Sequence, residues 1–241
     1  LAHRLSADPQ VSVLLLEAGE HDGGLWSRVP LGVGRILNDE SRTWPLTTEP
    51  VPHAGGVARE WVSGRCLGGS SAVNGLVVVR GDPRCYDDWA AQGCPGWAHE
   101  DCLPYFRRLE HWQGTPSARR GQGGPIAVTH ALTDPISDRF LAACQALGYR
   151  ANADYNADFR AGASYLQLNT RQGLRSDAAT GYLAPVRTRR NLTVLCGARA
   201  ERVVIENGRA RAVVTNVDGM LQELVARREV LLCCGAVRSP Q

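Results

Sequence analysis

Gly64-Arg65-Cys66-Leu67-Gly68-Gly69-Ser70-Ser71-Ala72-Val73-Asn74-Gly75 is the stretch on which the reading of the chain turns. Glycines at 64, 68 and 69 let backbone come close to a ligand, because no Cβ stands in the way. Ser70 and Ser71 carry hydroxyls that can cap a short helix, and a helix start presents unpaired N–H groups to an anion. The run is expected to hold a phosphate or an electron-rich ring. An ordinary glycine turn before a helix accounts for the glycines but not for the other small and polar residues crowded around them.

Upstream, Val11-Ser12-Val13-Leu14-Leu15-Leu16-Glu17 is a nearly unbroken apolar run that closes on an acid, the pattern of a strand buried on both faces of a parallel sheet. Leu1 to Asp8 reads as the crossover helix feeding it. Doubly wound sheets bind ligands at the carboxyl ends of their strands, so Glu17 is placed to accept hydrogen bonds from both hydroxyls of a ribose. A solvated strand end is the plainer alternative. Downstream, helical patterns cover Cys85 to Ala91, Glu100 to Leu109 and Pro135 to Leu147. The last third is β-rich: Leu192 to Cys196, Ala200 to Ile205, Arg209 to Val217 and Leu221 to Cys234, with Asn207-Gly208 and Asp218-Gly219 as hairpin turns tolerant of positive φ. Val230 to Ala236 is expected to return to a buried sheet strand, followed by a glycine turn and a helix start. The fold class expected is α/β, mixed with α+β features.

Composition narrows the function classes. The 241 residues are 44% hydrophobic and 21% charged, an ordinary globular balance with a net charge of +3. All 27 basic residues are Arg, which excludes a Schiff-base lysine, a lysine nucleophile and a P-loop lysine within this chain. The Arg pairs are scattered rather than gathered into a stripe, so no nucleic-acid partner is expected. No apolar run approaches the ~20 residues of a membrane span. The eight cysteines lack C-x-x-C spacing and read as reduced, mostly buried thiols, with no metal site. No Ser-His-Asp order, paired-carboxylate spacing or H-E-x-x-H supports hydrolase chemistry. Met220 is the single methionine, Leu1 opens on helical character, and Ser239-Pro240 reads as a helix start. The sequence is therefore read as a piece cut at both ends.

Gly64 to Val79, continuing through Arg80-Gly81-Asp82-Pro83 and Asp87-Asp88-Trp89, resembles the first signature of the glucose-methanol-choline (GMC) flavoprotein oxidoreductases. Ala2 to Gly19 resembles the family's first crossover helix and second strand, Trp44 to Pro50 the segment before the signature, and Pro95-Gly96-Trp97 with Leu103-Pro104-Tyr105-Phe106 the helices after it. Gly235-Ala236-Val237-Arg238-Ser239-Pro240-Gln241 resembles the opening of the second signature. The likeness covers nearly the whole chain and is nearest in type to choline and other primary-alcohol dehydrogenases. It implies a partial FAD-binding, Rossmann-like GMC fold: an FAD-binding part at 1–84, part of a substrate-binding or cap region at 85–190, and a return to the FAD-binding part at 191–241. The GxGxxG turn of that fold would lie upstream of Leu1.

By the same resemblance, Glu17 would bind the adenosine ribose of FAD, and Gly64, Arg65, Leu67, Gly68, Gly69 and Ser70 would wrap its pyrophosphate and ribityl chain. Asn74, Gly75, Leu76 and Val77 would line the flavin ring, Ala200 would touch adenine through its backbone, and Ala236 would lie near the ribityl-phosphate end. Backbone donors beside the N1/C2 carbonyl edge suit a reduced ring. Some members tether FAD through a His beside the signature's Asn; Val73 stands there here, so FAD is expected to be noncovalent.

The resemblance implies hydride transfer from a small-molecule alcohol to flavin N5, with the electron acceptor undetermined. The catalytic His and its partner would come from a C-terminal part of the family that these residues do not represent, so no catalytic residue is assigned. His3, His21, His53, His99, His111 and His130 are read as surface or capping residues. Ser176 is read as a helix cap beside Arg175, Asp177 and Tyr182, and Trp44 and Trp97 as packing residues. The other readings held open are a cyanohydrin lyase in which FAD is structural, and an inactive truncated product. The place expected is cytoplasmic, with peripheral attachment to the inner membrane as a variant.

Overall fold

A computed structural model describes residues 1–20, 24–158 and 161–240. In chain order its helices and strands begin α1 (Ala2–Leu5), β1 (Val13–Leu16), α2 (Gly24–Arg28), α3 (Val33–Ile36), β2 (Thr43–Thr47) and β3 (Glu60–Gly64). Then come α4 (Pro83–Ala91), α5 (His99–Leu109), β4 (Glu110–Trp112), β5 (Ile126–His130) and α6 (Pro135–Ala146). The remainder is β6 (Gln167–Leu168), β7 (Thr170–Arg171), β8 (Leu174–Arg175), β9 (Leu192–Leu195), β10 (Ala198–Glu206), β11 (Arg209–Val217), β12 (Met220–Val225) and α7 (Gly235–Arg238). The chain forms two compact units: Leu1–Gly23 with Asp39–Leu67 and Val186–Gln241, and Gly24–Asn38 with Gly68–Pro185.

In the first unit β1 and β9 pair in parallel, from Val13 opposite Leu192 to Leu16 opposite Leu195. A parallel pair needs a long crossover, and side chains on the β9 approach fix where β1 begins. Asn191 Nδ2 donates to the carbonyls of Ser6, Asp8 and Val11 at 3.1, 2.9 and 2.8 Å. Arg189 Nη1 donates to the His3 carbonyl at 2.7 Å and to Ser6 Oγ at 2.9 Å. The β10-β11-β12 meander is antiparallel. Its turns place Asn207 and Gly208 at φ 50° and 74°, and Asp218 and Gly219 at φ 52° and 83°. Both central residues of each hairpin are left-handed, which matches the twist of the flanking strands.

In the second unit the helix starts follow from sequence chemistry. Asp82 accepts from Arg84 N at 2.9 Å ahead of Pro83, and Asp134 accepts from Ile136 N at 3.0 Å and Ser137 N at 2.9 Å ahead of Pro135. An acceptor at the cap and a proline at the first helical position complement the free N–H groups there. The Arg84 side chain beside Asp82 pulls its carboxyl down to about 2. Between α4 and α5, Tyr86 meets Trp89 and Phe106 edge-on, with ring centroids 5.2 and 5.7 Å apart. β4 pairs in parallel with β5, which pairs antiparallel with β6.

Several expectations need correcting. Leu14 of β1 is 45% exposed rather than buried on both faces, and Val230 to Cys234 form no strand. The reason is shared: a parallel strand draws its ladder from neighbours, β1 pairs only with β9 among the described residues, and none pairs with 230–234. Ser239 is the C-cap residue of α7, and its Oγ accepts from Cys234 N at 3.0 Å. No disulfide joins the cysteines among the described residues, but Cys66 alone is buried while Cys85, Cys94, Cys233 and Cys234 are exposed. His99 is buried against Tyr86, and Trp97 is 55% exposed and meets Trp89 edge-on at 6.0 Å.

Helix α6 and its C-cap residue carry Ile136, Phe140 and Leu147 on one side, all more than 60% exposed. Apolar area gathered at this spacing associates or aggregates when uncovered. These 241 residues expressed alone are expected to bind 8-anilinonaphthalene sulfonate and to self-associate, and Phe140→Glu to weaken both. A monodisperse, dye-silent monomer on size-exclusion chromatography would contradict this.

Candidate functional site

In the first unit the glycine-rich run meets the carboxyl end of β1. Glu20 and Cys66 form a parallel bridge, and Leu67 N donates to the Glu20 carbonyl at 3.4 Å. A Cβ built on Gly19 would stand 1.8 Å from the Arg65 carbonyl oxygen, so only glycine permits this approach. Glu17 lies two residues earlier, half-buried, where its N–H donates to the Leu195 carbonyl and its carbonyl accepts from Ala198 N, both at 2.9 Å. Its carboxylate accepts from Gly19 N at 2.8 Å. Burial pushes the Glu17 carboxyl above its ordinary value, opposed by the Gly19 and Ala18 N–H groups and by Arg65. Two guanidiniums lie over the Trp44 ring, Arg65 at 4.7 Å and Arg238 at 4.2 Å from its centroid. The Nε of each arginine is buried without a hydrogen-bond partner among the described residues.

In the second unit the run continues through Gly68 and Gly69, at φ 94° and 54°. Gly69–Ala72 is a single 3-10 turn. Neither Ser70 nor Ser71 caps it, which corrects the sequence expectation: Gly68 holds the cap position. Ser71 Oγ instead donates to the Gly68 carbonyl at 2.6 Å and accepts from Ala178 N at 3.0 Å. Val73 is buried, and Asn74, Gly75 and Val77 are exposed. Asn74 Oδ1 accepts from Leu76 N at 3.1 Å, closing an Asx turn around Gly75. Leu76 is 4% exposed with φ 65°, a left-handed conformation that costs a non-glycine residue about 1–3 kcal/mol and persists only when its surroundings impose it. The Asx turn on one side and Asn169 N donating to its carbonyl at 2.9 Å on the other impose it here.

The sequence matches the GMC oxidoreductase family over residues 22–241. The chain belongs to that family. This GMC chain is 37% identical over 244 residues to an oxygen-dependent choline dehydrogenase of Photobacterium profundum, covering 100% of itself and 43% of that protein. It is 39% identical to an uncharacterized GMC-type oxidoreductase of Mycobacterium bovis, covering 46% of it. Among solved structures, pyridoxine 4-oxidase from Mesorbium loti superposes with a TM-score of 0.92 at 32% identity, over 100% of this chain and 48% of that one. An FAD-dependent oxidoreductase from Chaetomium thermophilum superposes at 0.88 with 25% identity, over 99% of this chain and 44% of that one. The GMC chain thus spans less than half the length of these relatives, and its mixed α/β fold is the fold of the family.

The residues expected to serve the site fall as follows. Glu17, Gly64, Arg65 and Leu67 gather at the β1 tip in the first unit, while Gly68, Gly69, Ser70, Asn74, Gly75, Leu76 and Val77 follow one another along the second. Ala200 is exposed on β10 opposite Thr215, next to a bulge, and Ala236 is exposed in α7. Ser176 is no helix cap: its Oγ accepts from Ala127 N at 3.0 Å, and Asp177 accepts from Thr180 N at 2.7 Å instead. Of the histidines, His111 Nδ1 accepts from Gly123 N at 2.9 Å, His130 meets Trp112 edge-on at 4.9 Å, and His21 lies outside the described residues.

Sequence reading missed a buried polar network in this GMC chain. The Glu110 carboxylate accepts from Arg80, from Arg120 Nε and Nη2 at 3.0 Å each, and from Gly121 N at 2.7 Å. Arg120 also reaches Asp154 at 2.7 Å and Gln167 at 2.8 Å, with its guanidinium 3.8 Å above the Trp112 ring. Asn156 joins Gln167 at 2.7 Å, the Val78 carbonyl and Arg80 N, each at 2.8 Å, pinning the backbone that leaves the signature. Isolated acids and amides in loops give no sequence sign of such convergence. A groove of about 790 Å³ lined by Asp82, Arg84, Arg119 and Asp158 lies elsewhere in the second unit. Pro83, Ala157 and Ala161 complete its lining, and it lies open to solvent, without the enclosure of a cofactor site. Among the described residues no group of His, Cys, Asp or Glu could hold a metal, and no helix is long and apolar enough to cross a membrane.

Proposed function

We propose that this chain supplies the FAD-holding elements of an oxidoreductase that converts a primary alcohol, choline or a relative of it, to the aldehyde. The observation that carries the reading is the seating of the glycine-rich run against the carboxyl tip of β1, beside Glu17, which only a Cβ-free Gly19 allows. Three features suit a flavin dinucleotide. A carboxylate kept at a strand tip despite unfavourable burial suits two ribose hydroxyls. A buried Arg65 Nε without a partner suits an anion, and the imposed backbone at Leu76 suits a ligand lying along Asn74 to Val77.

FAD supplies the hydride acceptor when bound. In this reading Glu17 accepts from the adenosine ribose, while Gly64, Arg65 and Leu67, then Gly68, Gly69 and Ser70, present backbone and charge to the phosphates and ribityl chain. Asn74, Gly75, Leu76 and Val77 line the ring, and Ala200 and Ala236 contribute backbone at the adenine and ribityl-phosphate ends. Val73 is buried at the position beside Asn74 where a tethering His would stand, so the cofactor is held without a covalent bond. His99, His111 and His130 are engaged in packing or turns, and no proton acceptor for the hydroxyl is assigned to this chain.

The protein expressed from its complete gene is expected to purify yellow, or to take up FAD with a flavin spectrum that bleaches when an alcohol is added without oxygen. No flavin spectrum after reconstitution overturns the reading. A spectrum that no alcohol bleaches, with cyanohydrin cleavage, favours the lyase. Glu17→Gln separates binding from folding. Because the Glu17 carboxyl is raised above its ordinary 4.5, the folded state loses stability as pH rises through the raised value and regains it as pH falls below 4.5. The variant is expected to melt no lower than the parent at pH 7, with the difference fading below pH 4.5, yet to bind FAD about 10- to 100-fold more weakly. Unchanged affinity by fluorescence titration removes Glu17 from the site.

A further inference from the structure

Trp44, in the first unit, carries two positive charges on its ring. It lies on β2 opposite Ser63 of β3, and the chain leaves β3 through Arg65, whose N–H donates to the Arg42 carbonyl at 2.7 Å, so the hairpin register sets Arg65 beside the indole. Arg238, the last residue of α7, arrives from a remote part of the sequence. With guanidinium carbons 4.7 and 4.2 Å from one ring centroid, the two charges lie within about 9 Å of each other. Neither side chain makes an ion pair or a hydrogen bond among the described residues: each Nε is buried without a partner, and the Nη groups, equally without one, remain open to solvent. Arg65 is near enough to Glu17 to favour its charged form, yet no ion pair joins them. The attraction of the ring for each cation leaves the repulsion between the two cations in place, and an anion shared by both removes it.

We propose that Arg238 is a further cofactor-binding residue: with Arg65, and braced on Trp44, it forms a two-guanidinium clamp for the pyrophosphate of FAD. This inference rests on the cofactor reading above, which gives Arg65 to the phosphates and gives Arg238 no part. The place agrees with the chemistry. Arg65 is the residue whose carbonyl only Gly19 can approach, so one half of the clamp is fixed at the carboxyl tip of β1, where a doubly wound sheet binds its ligand. A pyrophosphate diester carries two negative charges, one for each guanidinium, and the forked N–H groups of arginine match phosphate oxygens. Stacking on the indole holds each fork before the ligand arrives, which lowers the cost of ordering it on binding.

The test uses protein expressed from the complete gene, stripped of cofactor and titrated with FAD at several salt concentrations. Removing the charge in Arg238→Gln is expected to weaken FAD binding about 10- to 100-fold in low salt. Attraction between charges at a half-buried site is screened by ions, so the affinity of the parent should fall between about 0.05 and 0.5 M sodium chloride, and that of Arg238→Gln should fall less. Arg238→Lys keeps the charge without the fork, and should keep the salt dependence while losing part of the affinity. A role in packing alone gives a different pattern, with Gln weaker by the same factor at every salt concentration and Lys no better than Gln, and that pattern overturns the inference. Parental affinity in Arg238→Gln overturns it too, while the cofactor reading stands because the parent still binds FAD. If Arg238→Gln does not fold, parent affinity that does not respond to salt overturns the inference instead. Parent protein that binds no FAD overturns both.

Discussion

Replacing Glu110 by Ala is expected to lower the melting midpoint of the protein by about 10 °C. The side chains of Arg80 and Arg120 are 5% and 0% exposed, and Glu110 is the carboxylate they share. Removing one member of a buried ion pair leaves charge without compensation and costs about 3–5 kcal/mol, a large part of the ~5–15 kcal/mol that holds a domain together. Each kcal/mol moves the midpoint by about 2–4 °C in a chain of this size, so a fall of about 10 °C is expected. Trp112 is buried with the Arg120 guanidinium on its face, so its fluorescence should report the loss. Arg84→Ala breaks a bridge to Asp82 on the surface, where Arg84 is 86% exposed, and should leave the midpoint in place. If the two variants melt alike, the network does not hold this unit. Because Asn156 binds the backbone at Val78 and Arg80, partial loosening should also show as weaker FAD binding.

Gly19→Ala is expected to abolish cofactor binding with a smaller effect on stability. The added Cβ meets backbone, the Arg65 carbonyl at 1.8 Å and Cys66 N at 2.9 Å, and backbone in a bridge cannot swing aside as a long side chain does. The strand tip and the signature must separate. Overpacking of this kind costs about 1–3 kcal/mol, and an ångström of displacement at a preorganised site is worth about 100-fold. Gly34→Ala is the matched control: nothing lies within 4 Å of its Cβ, and it sits in α3, where alanine is favoured by about 0.5–1 kcal/mol. Gly34→Ala should melt higher and bind FAD as the parent does. A Gly19→Ala protein with parental FAD affinity would sink the proposal that the β1 tip and the glycine run frame the site.

Local chemistry made much of this legible in advance. Asp82-Pro83 and Asp134-Pro135 announce helix starts because the cap and the fixed proline φ act within three residues. Asn207-Gly208 and Asp218-Gly219 announce hairpins because their φ preference is their own. The spacing from Gly64 to Asn74 announced the family for the same reason: close backbone approach is a property of glycine wherever it stands.

The reading failed where the outcome depended on partners remote in sequence. Val230 to Cys234 has the composition of a buried strand, but a parallel strand exists only beside its neighbours. Glu110 looks like a solvated helix end until Arg80 and Arg120, 30 and 10 residues away, fold onto it. Ser176 looks like a cap until β5 brings Ala127 N to its hydroxyl, 49 residues apart in sequence. Local chain chemistry settled the helix starts, the hairpin turns and the family. The tertiary structure alone decided which polar groups are buried together, and so fixed Glu17 at a desolvated strand tip and Asn156 against the backbone at Val78 and Arg80, because burial and long-range hydrogen bonds are made by the folded whole and by no segment of it.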